Sequence, residues 1–438
     1  MKILRNAASI AAALALSGCP ITGGAKYTVG GTVTGLNGSG LVLELNGGDS
    51  LSFNGNGTFD FGTRLDNSAE YSVTVVTQPS NPAETCTVRN GSGAIDKASI
   101  TNVIVACTQT GRFAYVANRQ SNSISGFAID PSTGALLPLS GSPFASNGTT
   151  PTALTVDPDG QFLYVANNGS NSVSVYSIGA TGALTAVGFP IAAGSGPGAV
   201  TVDPTDHYLY VANLTSNDVS AFAISSGSLT PIVDSPFSVG AEPASLAVDP
   251  NGNFLYVTNF NDNTISVFLI DPASGMLSAI SGSPFAAGEG PISIAIDPTD
   301  AFAFVANNSD QTIASYALNA TTGALTPSGS PLSAGANPEA LSVNPSGSSV
   351  FAANAQAANQ VATFTITPAS GSLTLASSAA ADSLPIAVAI DPSGQFFYAV
   401  NFNSNDVSAY TLSTSGALTP VAGSPFAVGA QPHSIAID

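Results

Sequence analysis

From residue 111 onward the apolar positions of this chain come in short runs broken by turn residues, and nowhere do they recur at the 3.6-residue spacing of a helix. Residues 151–196 show the unit. Pro151-Thr152-Ala153-Leu154-Thr155-Val156-Asp157 reads as a strand of small and β-branched residues, Pro158-Asp159-Gly160 turns the chain, and Phe162-Leu163-Tyr164-Val165-Ala166-Asn167 runs back. Ser172-Val173-Ser174-Val175-Tyr176-Ser177-Ile178 follows, and a last segment lies around Phe189-Pro190-Ile191. The pattern predicts four short strands joined by tight turns. Its second strand, Tyr-Val-Ala-Asn or a close variant, returns seven times. The asparagines are Asn118, Asn167, Asn213, Asn259, Asn307, Asn354 and Asn401, at steps of 49, 46, 46, 48, 47 and 47 residues. A unit this small cannot bury its own apolar face and must pack against its neighbours; four strands per unit is the blade of a β-propeller.

The turn after the first strand has a local mechanism. Asp157-Pro158-Asp159-Gly160, Asp249-Pro250-Asn251-Gly252 and Asp391-Pro392-Ser393-Gly394 place an Asx residue first, Pro second and Gly fourth, the signature of a type I turn. Asn344 stands at the same place, so these aspartates read as turn residues and not as metal ligands. Pro143, Pro236, Pro284, Pro331 and Pro425 fall in the fourth segment, which must then be an outer edge, because proline cannot donate to a ladder. The first strand therefore lines the central channel. The repeats begin near Arg112 with a second-type strand and end at His433-Ser434-Ile435-Ala436-Ile437-Asp438, a first-type strand without a successor. That strand completes the first blade and closes a seven-bladed ring of four-stranded blades.

Upstream the organisation differs. Lys2 and Arg5 precede an apolar run too short for a membrane span, the pattern of an export signal. Leu16-Ser17-Gly18-Cys19 resembles the bacterial lipobox, which implies a lipoprotein signal peptide over 1–19 with Cys19 as the lipidated anchor. With Pro20 next, outer-membrane attachment is expected, and 20–26 is a tether. Residues 27–109 carry alternating apolar runs, such as Leu41-Val42-Leu43-Glu44-Leu45 and Tyr71-Ser72-Val73-Thr74-Val75-Val76. Asn37-Gly38, Gly47-Gly48, Asn54-Gly55 and Asn56-Gly57 separate these runs and read as hairpin turns. A small antiparallel, Ig-like β-sandwich is expected there, with the propeller over 111–438. Cys86 and Cys107 form an even pair in an exported chain and are expected to be bonded.

The repeats, Phe/Leu-x-Tyr-Val-Ala-Asn followed by Asn-x-Val-Ser-x-Phe and preceded by Pro-x-x-Ile-Ala-Ile-Asp-Pro-x-Gly, resemble the YVTN repeats of the lactonase-like seven-bladed propellers. That family includes bacterial 6-phosphogluconolactonases and muconate-cycloisomerising enzymes. The absence of Trp argues against propellers with Trp signatures. Active members of the family carry Gly-Pro-Arg-His-like segments before a first strand and Asn-Glu after the second. Here the seven asparagines are followed by Arg119, Asn168, Leu214, Phe260, Asn308, Ala355 and Phe402, and Asn-Glu never occurs.

Charge narrows the chemistry. The formal net charge is −19, and from Gln120 to the last residue there are 20 Asp and Glu and no Lys or Arg. A phosphorylated lactone would meet repulsion, and nucleic acid is excluded because its binding rests on neutralised phosphates. Around the prolines that begin the first strands the residues are mostly neutral, but Glu242, Glu289, Glu339 and His433 break that pattern. Strand polarity puts them on one face with Arg119, and the strand that starts at His433 should pair with the one that ends at Asn118. A base, a carboxylate and a cation are what a lactone-processing site needs. The sequence favours an envelope-anchored lipoprotein whose propeller is a binding or scaffold platform for a small molecule or an envelope protein, with the membrane reached through the lipid anchor alone. The alternatives are a lactonase-type hydrolase acting on a non-phosphorylated lactone, and a Ca²⁺-stabilised adhesion module, for which no Asp-x-Asp-x-Asp loop speaks. No metal site or cofactor is expected otherwise.

Overall fold

Strands whose residues are buried on both faces read as continuous apolar runs, and the second strands of the repeat behave that way: every residue of Phe113–Asn118, Tyr208–Asn213, Phe254–Asn259, Ser349–Asn354 and Phe396–Asn401 is buried. The computed structural model describes residues 25–36, 39–79, 84–109, 113–355, 359–413 and 416–438. The lipobox with Cys19, the first part of the tether and Arg112 lie outside them. The chain divides into two units, Met1–Cys107 and Thr108–Asp438. Among the described residues no helix is long and apolar enough to cross a membrane.

The second unit consists of seven sheets, each with a four-stranded path, arranged as a propeller. Neighbouring inner strands contact one another all the way round, from Pro432–Ile437 through Pro151–Val156, Pro197–Val202, Pro243–Val248, Pro291–Ile296 and Pro338–Val343 to Pro385–Ile390 and back. Blade 1 is closed as expected. Pro432–Ile437 pairs antiparallel with Phe113–Asn118, and Asp438 accepts the Phe113 N–H at 2.5 Å. Seven apolar clusters fill the seven gaps between blades; the one across the closure joins Ala114, Val116 and Phe127 to Phe396, Tyr398 and Val400.

The recurring residues have structural duties. In four blades the repeat Tyr reaches into the next blade, where its hydroxyl donates to a turn carbonyl: Tyr115 to Gly182 at 2.8 Å, Tyr210 to Gly275 at 3.0 Å, Tyr256 to Gly323 at 3.2 Å, and Tyr398 across the closure to Gly134 at 2.9 Å. The repeat Asn ties the second strand to the third, as when Asn259 Nδ2 donates to Thr264 and Ser266 and Asn401 Nδ2 to Asp406 and Ser408. The Asp-Pro turns form as expected. In the first, the Gly160 N–H bonds to the Asp157 carbonyl, and Asp157 Oδ1 accepts the N–H groups of Gln161 and Phe162.

The outer strand differs from the sequence reading. In six blades it comes as two short pieces, such as Leu184–Ala186 and Ile191–Ala192, which both pair with the third strand. The prolines lie in or beside the link between the pieces. Only blade 6 has no proline there, and its outer strand, Leu373–Ala380, is continuous with one register shift. Proline thus interrupts the outer strand where an edge position alone would have tolerated it.

In the first unit two four-stranded sheets share one core, which Val29, Val33, Leu43, Phe61, Val103 and Val105 represent. The expected antiparallel sandwich needs a correction, because Val29–Thr34 and Ile100–Gln109 run parallel. They stand at opposite ends of the unit, so the whole intervening chain serves as the crossover that parallel pairing requires. Gly47-Gly48 does close a hairpin, between Leu41–Leu45 and Asp49–Phe53, whereas residues 54–57 lead from one sheet to the other. Cys86 and Cys107 are disulfide-bonded across neighbouring strands.

Candidate functional site

Each inner strand starts with a proline, and in all seven the pairing with the second strand shifts register straight after it. In blade 1, Pro432 faces Asn118 and Ser434 faces Ala117, so His433 has no partner in the ladder. The residue after the proline is therefore the extra residue of a β-bulge, a device that re-aims a side chain. The seven bulge residues are Thr152, Gly198, Ala244, Ile292, Glu339, Ile386 and His433. All of them line one cavity of about 600 Å³ at the mouth of the central channel. Arg119, Asn168, Leu214 and Phe402, which follow the repeat asparagines, complete its wall together with Leu384.

Three of the expected site residues come together here: Arg119, Glu339 and His433. Glu242 and Glu289 are not among the residues that line this cavity. Glu242 is one residue before Pro243 and Glu289 two before Pro291, so neither occupies the bulge. They sit on the loops above it. Glu242 accepts a hydrogen bond from Asn261 Nδ2 at 2.6 Å, and Glu289 is exposed.

His433 is held for one tautomer. Its Nδ1 lies 2.9 Å from the Thr152 carbonyl, which can only accept, so Nδ1 carries the proton and Nε2 the lone pair. The Phe402 ring meets it edge to face, with centroids 6.2 Å apart. Burial among these walls pushes the pKa of His433 below the ordinary 6.5, and the nearby Arg119 charge pushes it further the same way. The ring is neutral at pH 7 and has the form of a general base. Burial raises the pKa of Glu339, opposed by the hydrogen bond that Asn308 Nδ2 donates to its Oε1 at 3.0 Å. Inner-strand neighbours place Glu339 two blades from His433, with Ile386 between them.

Arg119 emerges from the end of Phe113–Asn118, where its backbone N–H bonds to the Gln431 carbonyl beside His433. Among the described residues Arg119 is the one Lys or Arg that lines the cavity. Among the described residues no group of three or more His, Cys, Asp or Glu is placed to hold a metal. Sequence reasoning did not single out Thr152, Asn168, Leu384 or Phe402. Position relative to the proline and to the repeat Asn would have found Thr152, Asn168 and Phe402; the bulge that makes the first position point inward is not visible in a sequence.

A family model described as lactonase, seven-bladed β-propeller, matches residues 106–242, 233–338 and 334–432. The chain belongs to this lactonase propeller family. Solved structures with the same fold include a candidate 6-phosphogluconolactonase from Bacteroides uniformis, 21% identical, with a TM-score of 0.67 over 75% of this chain and 100% of that one. The periplasmic gluconolactonase PpgL of Pseudomonas aeruginosa is likewise 21% identical, with a TM-score of 0.66 over 74% of this chain and 98% of its own. At such identity the likeness is one of fold. No curated protein matches the chain in sequence. The matched region of this lactonase-family chain contains Arg119 and Glu339, and its last segment ends at Pro432, one residue before His433.

Proposed function

We propose that this propeller hydrolyses an uncharged lactone at its channel mouth. The observation that carries the reading is the Thr152 carbonyl on His433 Nδ1, which leaves Nε2 as a base beside a guanidinium in a walled cavity. In the reaction, His433 Nε2 takes a proton from water as the water oxygen bonds to the lactone carbonyl carbon. Arg119 stabilises the oxyanion of the tetrahedral intermediate. The ring C–O bond then breaks, and His433 returns its proton to the departing alkoxide, giving the open hydroxy acid. No Asn-Glu follows a second strand, so Glu339, presented from an inner strand, is the carboxylate available to hold a substrate hydroxyl or the water.

The substrate is uncharged because a phosphate dianion would find a single guanidinium within a strongly acidic unit. The convergence of base, cation and carboxylate favours turnover over the scaffold role that composition suggested. The test is a panel of γ-butyrolactone, D-glucono-δ-lactone and an aromatic lactone with wild type and His433→Ala. Turnover that disappears in the variant supports the reading. Binding without turnover in the wild type would return the propeller to a platform, and no effect of either kind removes the site.

The same proposal anchors the molecule to the bacterial outer membrane, a reading supported by the resemblance of Leu16-Ser17-Gly18-Cys19 to a lipobox. Cys19→Ser should move the protein from the membrane to the soluble fraction, since one cysteine would carry all the acyl chains. Continued sedimentation with outer membranes would overturn the anchor.

A further inference from the structure

The cavity is not polar all round. Its ionisable groups stand on blades 1 and 6, with Thr152 and Asn168 on blade 2 beside them, whereas blades 3, 4 and 5 present Gly198, Leu214, Ala244, Leu246 and Ile292. The arc offers two hydroxyls, Ser245 and Ser293, and each already accepts a backbone N–H from the neighbouring strand, of Ile294 at 3.4 Å and of Leu341 at 3.0 Å. Leu214 can lie down over the arc only because residue 198 is Gly: a Cβ there would stand 1.6 Å from Leu214 Cδ1. Leu214 thus fills the place a side chain at 198 would take and gives this side an apolar floor, the small Ala244 at the next bulge leaves room beside it, and Ile292 bounds it. Among the described residues the arc itself carries no Lys, Arg, Asp or Glu.

We infer that the mouth selects lactones with an uncharged aliphatic substituent, the lactone carbonyl lodging at Arg119 and His433 and the substituent lying over the arc of blades 3 to 5. The inference rests on the hydrolase reading and adds the substrate class to it. A polyhydroxylated lactone would bury hydroxyls against Leu246 and Ile292 without partners, which is costly. An alkyl chain gains instead, by about fourfold per methylene removed from water. A chain with a terminal carboxylate would find no cation in this arc and lose that gain.

The experiment measures kcat/KM of the full-length protein for γ-butyrolactone, γ-hexalactone, γ-nonalactone and D-glucono-δ-lactone, alongside calorimetric binding of the same four to His433→Ala. The expected result is a rise of at least tenfold in kcat/KM from γ-butyrolactone to γ-nonalactone. Ala244→Glu should cut the γ-nonalactone to γ-butyrolactone ratio at least tenfold, and Ala244→Val, which keeps the arc apolar, should preserve much of it. Turnover of D-glucono-δ-lactone with no gain along the alkyl series overturns this inference and leaves the hydrolase reading standing. Chain-length-dependent binding without any turnover does the reverse. Neither binding nor turnover overturns both.

Discussion

At their far end the seven inner strands finish almost alike, on Asp157, Asp203, Asp249, Asp297, Asn344, Asp391 and Asp438. At the mouth, the residues after the proline are Thr152, Gly198, Ala244, Ile292, Glu339, Ile386 and His433, and no two neighbours match. The first set repeats a backbone duty. Oδ1 of Asp249 accepts two N–H groups, from Asn253 and Phe254, both at 2.6 Å, and the aspartates of blades 2, 3, 5 and 7 do the same. The second set shares no such repeated duty, because a bulge frees each of its residues from the ladder; where its side chains do meet backbone, Thr152 at the Pro197 carbonyl and His433 at the Thr152 carbonyl, each bond belongs to one blade alone. In a ring of repeats, what recurs holds the fold, and what departs from the repeat is free to bind.

The largest effect that can break this comparison is loss of closure. Deleting residues 432–438 removes the inner strand of blade 1, leaves its second strand unpaired along that edge and uncovers the apolar flank of blade 7. Insoluble protein or loss of the cooperative transition is expected, from the exposed edges alone. A soluble truncated chain with an unchanged melting temperature would mean that closure is not what holds the ring.

The mouth and the far end should then separate in what they affect. His433→Ala is expected to lower lactone turnover by a factor on the order of 10² to 10⁴, the usual worth of a general base, at a cost of only about 1 kcal/mol in stability from the lost bond to the Thr152 carbonyl. Asp249→Ala should do the opposite, costing about 2–3 kcal/mol of stability from two lost charge-assisted bonds while kcat stays near wild type. If the two variants exchange these phenotypes, the division of labour is wrong. The wild-type pH–rate profile should have its acid limb below pH 6.5, because burial and Arg119 lower the pKa of His433. Arg119→Gln should move that limb upward as well as slowing the reaction.

The fold was legible because the chain states it seven times. The repeat Asn, the Asp-Pro turn and the unpaired last strand each constrain the same ring, and together they fix blade number and closure. The outer strand was less legible. Phe189-Pro190-Ile191 looks like one segment, while pairing uses Leu184–Ala186 and Ile191–Ala192 on either side of the interruption. The site was half legible for a related reason. Glu242, Glu289 and Glu339 all lie near a first-strand proline, and only Glu339 falls on the bulge that points into the channel. Register irregularities depend on how neighbouring strands pair, which composition does not record.

The smallest effect sharpens the comparison at the far end itself. In blades 4 and 5, Asn251 Nδ2 donates to Asp300 Oδ2 at 2.9 Å between adjacent turns. At the equivalent place between blades 2 and 3, Asp159 stands where Asn251 does, facing Asp206. Burial first, and then the charges of Asp157, Asp159 and Asp203, raise the pKa of Asp206 from 3.8 to about 6. A group whose pKa is raised by folding stabilises the fold when protonated. That contribution is fully present below about pH 4 and is lost as pH rises through about 6. Asp159→Asn removes one of the repelling charges and supplies the amide donor found in blade 4, so the variant should be more stable than wild type near pH 7, by less than about 1 kcal/mol for a pair this accessible. The gain should shrink toward pH 4, where Asp206 is protonated in both proteins. Comparing the two melting temperatures at each pH cancels the remaining titrating groups, and a difference that does not change with pH would show that Asp159 and Asp206 do not interact across the turn.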